Sequence, residues 1–179
     1  MADYQGGSQT SQSTSPFRPA DAPKILLVED SPGEAELFRV ALGFAWEARH
    51  SNSEVARPGI QVQCTAEDAL ESLRQTCDLN QRNVPDLVVL DLDLPLGTSL
   101  LFLRALRRDA RFTTLPVIVM AWSDEPSIIG SLDELGIVGY TIKPMRFDDL
   151  VTIVGDFCSQ IFPNVTRQEL CAPDQRQDA

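Results

Sequence analysis

The sequence predicts an α/β domain: a doubly wound, five-stranded parallel sheet with helices on both faces. Three observations carry this expectation. Five short strand-like runs alternate strictly with five segments of helical spacing, the pattern of strand–helix units joined by right-handed crossovers. Ile25–Val28, Leu87–Leu90 and Val117–Ala121 are apolar at every position, as suits strands buried on both faces. Charged residues then stand where several runs end, and chemistry in open α/β sheets gathers outside the carboxyl ends of the strands.

Residues 1–23 are rich in Gly, Ser, Gln, Thr and Pro and cannot bury enough apolar surface to offset their ordering entropy, so they read as a disordered tail. The domain is expected over 24–162. Its first strand, Ile25–Val28, ends on Glu29 and Asp30. A helix follows, with Ser31 as N-cap, Pro32 in the first turn and Glu34 three residues past the cap. Leu37, Val40, Ala41 and Phe44 mark its inward face by spacing. Residues from about Trp46 to Gly59 read as a polar connection, and the single histidine, His50, reads as a solvated loop residue. Gln61–Cys64 is the second strand, and Thr65 with Asp68 resembles a capping box before a helix lined by Ala69, Leu70 and Leu73.

The third strand, Leu87–Leu90, ends on Asp91, with Asp93 two residues on and Pro95 stopping the strand. Thr98 or Ser99 caps the next helix, which runs to about Arg108 with Phe102, Leu103 and Leu106 facing the core. Leu100 and Leu101 fall partly off that stripe, either packed against a neighbour or on a contact surface. Val117–Ala121 is the fourth strand. A short helix from about Pro126 closes at Gly136, the place for a C-cap glycine. Val138–Ile142, containing Tyr140, is the fifth strand and ends on Lys143-Pro144. The last helix starts near Phe147, and Leu150, Val151, Val154, Phe157, Cys158 and Ile161 keep helical spacing. Residues 163–179 form a polar tail.

Charge and cysteine usage narrow the function classes. With 15 Lys+Arg against 26 Asp+Glu the net charge is −11, which argues against nucleic acid or an anionic membrane as direct partner. No window approaches the ~18 apolar residues of a membrane span, and the amino terminus lacks a signal-peptide pattern. The four cysteines form no paired motif, so reduced thiols and a cytoplasmic location are expected. At the strand ends stand Glu29, Asp30, Asp91, Asp93 and Lys143, one of only two lysines. Clustered carboxylates suit a hard divalent cation such as Mg2+, and a lysine opposite suits an anion held beside it. The set describes an aspartate that accepts a phosphoryl group.

The stretches Ile25-Leu26-Leu27-Val28-Glu29-Asp30, Asp86–Pro95 and Lys143-Pro144, in this order and spacing, closely resemble the receiver domain of two-component response regulators. The resemblance covers about Lys24 to Ile161. It implies a flavodoxin-like fold and a sensor histidine kinase as phosphoryl donor. By the same resemblance Asp91 is the phosphoacceptor, Glu29 and Asp30 hold Mg2+, and Asp93 offers its backbone carbonyl to the metal. Lys143 then contacts the phosphoryl oxygens, and Tyr140 is the switch aromatic. The opening Val-Glu-Asp-Ser-Pro-Gly-Glu is similar to single-domain receivers partnered with phytochrome-type kinases. The resemblance further implies that the face of the fourth helix, fifth strand and fifth helix binds partners or a second copy. Trp122 borders that face; its alternative is an aromatic packed on the core.

Two positions depart from the family pattern. Ala121 stands where a Thr or Ser hydroxyl binds the phosphoryl group, and a methyl cannot donate that hydrogen bond; Ser123, two residues on, could replace it through a slipped loop. Ser99 stands where the family has Gly, with Gly97 as the alternative source of the turn. Two other readings compete: a degenerate receiver acting as a phosphorylation-independent binding module, and a haloacid-dehalogenase-type phosphatase, whose Asp-x-Asp resembles Asp91-Leu92-Asp93.

Overall fold

The computed structural model of the chain describes residues 22–51, 56–79, 83–123 and 126–163. Both expected tails, apart from residues 22, 23 and 163, lie outside the described residues. In chain order the elements are β1 (Lys24–Val28), α1 (Pro32–His50), β2 (Gly59–Gln63), α2 (Ala66–Leu79), β3 (Leu87–Asp91), α3 (Thr98–Arg108), β4 (Val117–Ala121), α4 (Pro126–Glu134), β5 (Gly139–Ile142) and α5 (Phe147–Ile161). All strand pairs are parallel and the order is β2-β1-β3-β4-β5. This is the flavodoxin-like arrangement, whose strand order reverses direction between β1 and β3.

Every residue of β3 and β4 is buried, as their unbroken apolar runs require. Alternate residues serve opposite faces because the side-chain period of a strand is two. Ile25, Leu27, Val89, Ile118 and Met120 pack under α1 and α5 with Phe38, Leu42, Trp46, Val154 and Cys158. Leu26, Val28, Val88, Leu90, Val117 and Val119 pack on the other face with Leu73, Phe102, Leu103, Leu106 and Leu132. The register pairs Val28 with Leu90 and Asp91 with Met120, so the carboxyl ends of β1, β3 and β4 lie side by side.

Helix α1 differs from expectation in two ways. It continues through His50, which is buried at 8% exposure, stacks on Trp46 at 4.0 Å between ring centroids, and places Nδ1 3.0 Å from the Trp46 carbonyl. Polar Glu47, Arg49 and His50 extend the helix rather than opening a loop, since Trp46 and His50 one turn apart bury against each other. The helix also turns a different face inward. Ala35, Phe38, Ala41, Leu42, Ala45 and Trp46 are buried, whereas Leu37, Val40 and Phe44 are exposed. Of the expected stripe only Ala41 faces the core.

The start of α3 is also built otherwise. Gly97 at φ +64° occupies the N-cap, after Leu96 at φ +59°. Neither Thr98 nor Ser99 caps the helix: Thr98 Oγ1 donates to the Pro95 carbonyl at 3.0 Å. Gly97 thus supplies the left-handed turn, and Ser99, where the family has Gly, lies within the helix.

Candidate functional site

Five elements deliver the site: β1, α1, β3, β4 and β5. The Ser31 Oγ accepts the Glu34 N–H at 3.3 Å, which caps α1 as expected. The reciprocal half of a capping box does not form. The Ser31 N–H instead donates to Glu29 Oε1 at 3.0 Å, and the Glu34 carboxylate turns toward Lys143. Glu29 at the end of β1 and Asp91 at the end of β3 are both buried. Exposed Asp30 joins them: one carboxylate oxygen from each of Glu29, Asp30 and Asp91 lies within 4.8 Å of the other two.

Lys143 follows β5, its N–H held by the Ala121 carbonyl at 2.7 Å. Its buried ammonium lies 2.9 Å from Asp91 Oδ1, 3.0 Å from Glu29 Oε2 and 2.5 Å from Glu34 Oε2. Burial alone would depress this lysine, but the hydrogen bonds it donates to Glu34, Asp91 and Glu29 outweigh that and hold it above the ordinary lysine value. Glu29 and Asp91 are pushed above the ordinary carboxylate range, chiefly by burial. The Ser31 N–H lowers Glu29, the Asp93 N–H lowers Asp91, and Lys143 lowers both, without cancelling the shift.

The loop after β3 is fixed by backbone and side-chain ties. The Asp93 N–H donates to Asp91 Oδ1 at 3.0 Å, and Asp93 Oδ2 accepts the Trp122 N–H at 2.8 Å. The Asp93 side chain is therefore committed to the end of β4. Ser99, fully buried, places its hydroxyl 2.8 Å from the Asp91 carbonyl and 3.0 Å from that of Leu92, joining the first turn of α3 to the aspartate's own backbone.

Ala121 ends β4 as the register of that strand requires, buried at 1% exposure. Ser123 does not slip into its place: the Tyr140 hydroxyl donates to the Ser123 carbonyl, and Ser123 does not line the cavity over Asp91. Trp122, half-exposed, does line that cavity, together with Glu29, Glu34, Asp91 and Lys143. Its ring lies 5.5 Å from Lys143 Nζ, within cation–π range, so it belongs to the site rather than to the core.

Glu34 and Trp122 are thus site neighbours whose part the motifs did not give. For Glu34 the signal was present, a carboxylate one turn beyond Glu29-Asp30, but its spacing from Ser31 pointed to a capping role. The donor set fits a hard divalent cation: three clustered carboxylates, two buried, with an exposed edge at Asp30 that leaves room for retained waters.

The response regulator receiver domain, as a family, matches residues 25–155 of the sequence. The chain belongs to the receiver-domain family of two-component signalling proteins. Among curated proteins it is 31% identical over 87 residues to the two-component response regulator-like APRR1 of Arabidopsis thaliana, covering 48% of this chain and 14% of that protein. It is 26% identical over 136 residues to the osmosensing histidine protein kinase SLN1 of Saccharomyces cerevisiae, covering 76% of this chain and 10% of that one. The chain thus spans only a small part of these relatives' length. Among solved structures, the phosphorylated cyanobacterial phytochrome response regulator RcpA superposes with a TM-score of 0.67 at 26% identity, over 80% of this chain and 96% of that one. The Mn2+-bound response regulator Rcp1 superposes at 0.62 with 24% identity, over 76% and 92%, and shares the fold. Family membership sets aside the dehalogenase-type reading of Asp91-Leu92-Asp93.

Proposed function

We propose that this receiver accepts a phosphoryl group on Asp91 from the phosphohistidine of a sensor histidine kinase. The observation that carries the reading is the Lys143 ammonium 2.9 Å from Asp91 Oδ1, beside a triad of carboxylates at the sheet's switch point. The bond from phosphorus to the kinase imidazole breaks as the bond to an Asp91 carboxylate oxygen forms. Lys143 holds the transferred group's oxygens and offsets their charge. Glu29, Asp30 and Asp91, with the Asp93 backbone carbonyl, would hold Mg2+. That ion supplies charge neutralisation for the group in transfer.

Asp93 and Ser99 fix the backbone of the Asp91 loop, so the acceptor is positioned before the donor arrives. The reading makes the chain a signalling protein whose only chemistry is gain and loss of this group in the cytoplasm. A kinase of the phytochrome type is the favoured partner, supported by the likeness to RcpA, itself a phytochrome response regulator. The face of α4, β5 and α5, with Tyr140 and neighbouring Trp122, is the surface proposed for targets or a second copy.

Ala121 favours one second reading, a receiver whose contacts ignore phosphorylation. It cannot bind the phosphoryl group, so the Tyr140 segment lacks the usual tie to it. Incubation with Mg2+ and acetyl phosphate, followed by intact mass, separates the two. The receiver reading expects gain of one phosphoryl group, lost on omission of Mg2+ and in Asp91→Asn. No gain, with partner binding retained in Asp91→Asn, would establish the second.

A further inference from the structure

Glu34 stands apart from the acidic triad yet makes the shortest of the three contacts to Lys143, at 2.5 Å. The other two carboxylates on that ammonium, Glu29 and Asp91, are members of the triad. A lysine and a divalent cation therefore claim the same two carboxylates. Both cannot hold them at full strength in a buried site, where like charges repel strongly. An ammonium displaced from Glu29 and Asp91 with no other anion nearby would be a buried, unpaired charge. Glu34 provides that anion. Its backbone is fixed in the first turn of α1 by the Ser31 cap, and its side chain is one-third exposed while Lys143 is 8% exposed.

We propose that Glu34 is a positioning residue that retains Lys143 when a divalent cation takes Glu29 and Asp91. The inference rests on the receiver reading for the identity of that cation. With Glu34 neutralised, Lys143 stays on Glu29 and Asp91 and competes with the ion. The cation affinity then falls although no ligand has been removed.

The test is calorimetric titration of the purified chain with Mg2+ alone, so it does not depend on phosphorylation. Glu34→Gln keeps the side chain's shape and the backbone cap, and its fold is checked by thermal melting. The Kd for Mg2+ is expected to rise about fivefold or more, a loss on the scale of a charged contact. Glu36→Gln, which removes an exposed neighbouring carboxylate paired with Arg39, is expected to stay within about twofold. In a Lys143→Gln background the Glu34→Gln effect should shrink to under about twofold, because there is no ammonium left to retain. The same fivefold loss in that background would mean simple through-space attraction and overturn the proposal, as would an unchanged Kd in Glu34→Gln. A wild type that binds no Mg2+ would overturn the receiver reading and this proposal together; normal wild-type binding with an unaffected variant would overturn this proposal alone.

Discussion

Asp91 and Glu29 occupy positions where ionisation is disfavoured, and the fold tolerates them because Lys143 is shared between them. Their carboxyl groups titrate above the ordinary range, chiefly through burial. A carboxylate raised in the folded state adds stability below its unfolded pKa and loses that contribution as pH rises through the folded value. At neutral pH, without a divalent cation, the charged Asp91 therefore costs stability. Asp91→Asn is expected to raise Tm by about 2–4 °C at pH 7. Lys143 keeps Glu29 and Glu34 as partners in that variant. The gap should close as pH falls and the wild-type carboxyl takes up its proton; thermal melts across pH 4–8 would show it. Single residues also mark where the sequence was readable and where it was not. Glu29, Asp30, Asp91 and Lys143 were legible because each ends a strand. The place of Glu34 was not, because Ser31 followed by Glu three residues later specifies a cap equally well. Only the position of Lys143, 109 residues away, draws the carboxylate elsewhere.

Helix α1 shows the corresponding limit for an element. Apolar residues occur almost all round it, so two stripes fit the helical period. One is Ala35, Phe38, Ala41-Leu42 and Ala45-Trp46; the other is Leu37, Val40-Ala41 and Phe44. Periodicity cannot choose between them. The bulk of Phe38 and Trp46 beside small Ala41 and Ala45 fits the closely packed seam between the sheet and α5, and that stripe is buried. Strands β1, β3 and β4 were plainer, since an unbroken apolar run has no alternative face. Phe38→Ala should cost about 3–5 kcal/mol. Phe44→Ala, which loses an edge contact to Phe147 at 5.9 Å between centroids, should cost about 1 kcal/mol or less. Denaturant unfolding of both variants, read as a shift of midpoint at constant slope, compares them directly. Equal costs would place the buried face wrongly.

At the scale of the whole molecule, parallel strands bring every carboxyl end to one edge, so residues far apart in sequence converge without any contact between their motifs. Glu29, Asp91 and Lys143 come from the ends of β1, β3 and β5, and the ammonium meets both carboxylates within 3.0 Å. That convergence was legible from order and spacing, because the topology rules leave few alternatives. The ties that cross from one loop to another were not. Asp93 to Trp122, Ser99 to the Asp91 carbonyl and Tyr140 to the Ser123 carbonyl depend on loop conformations that no periodicity records. They matter because Ala121 lacks the usual hydroxyl, so the Asp93–Trp122 and Tyr140–Ser123 ties act beside the contacts of Lys143 in linking the ends of β3, β4 and β5. On the proposed function, Asp91 alone accepts the phosphoryl group. Reduction of the acetyl phosphate-treated, Mg2+-loaded protein with borohydride converts an aspartyl phosphate to homoserine, which peptide mass spectrometry locates. Homoserine at position 91 and nowhere else is the predicted result; homoserine at position 30 or 93, or none at all, would contradict it.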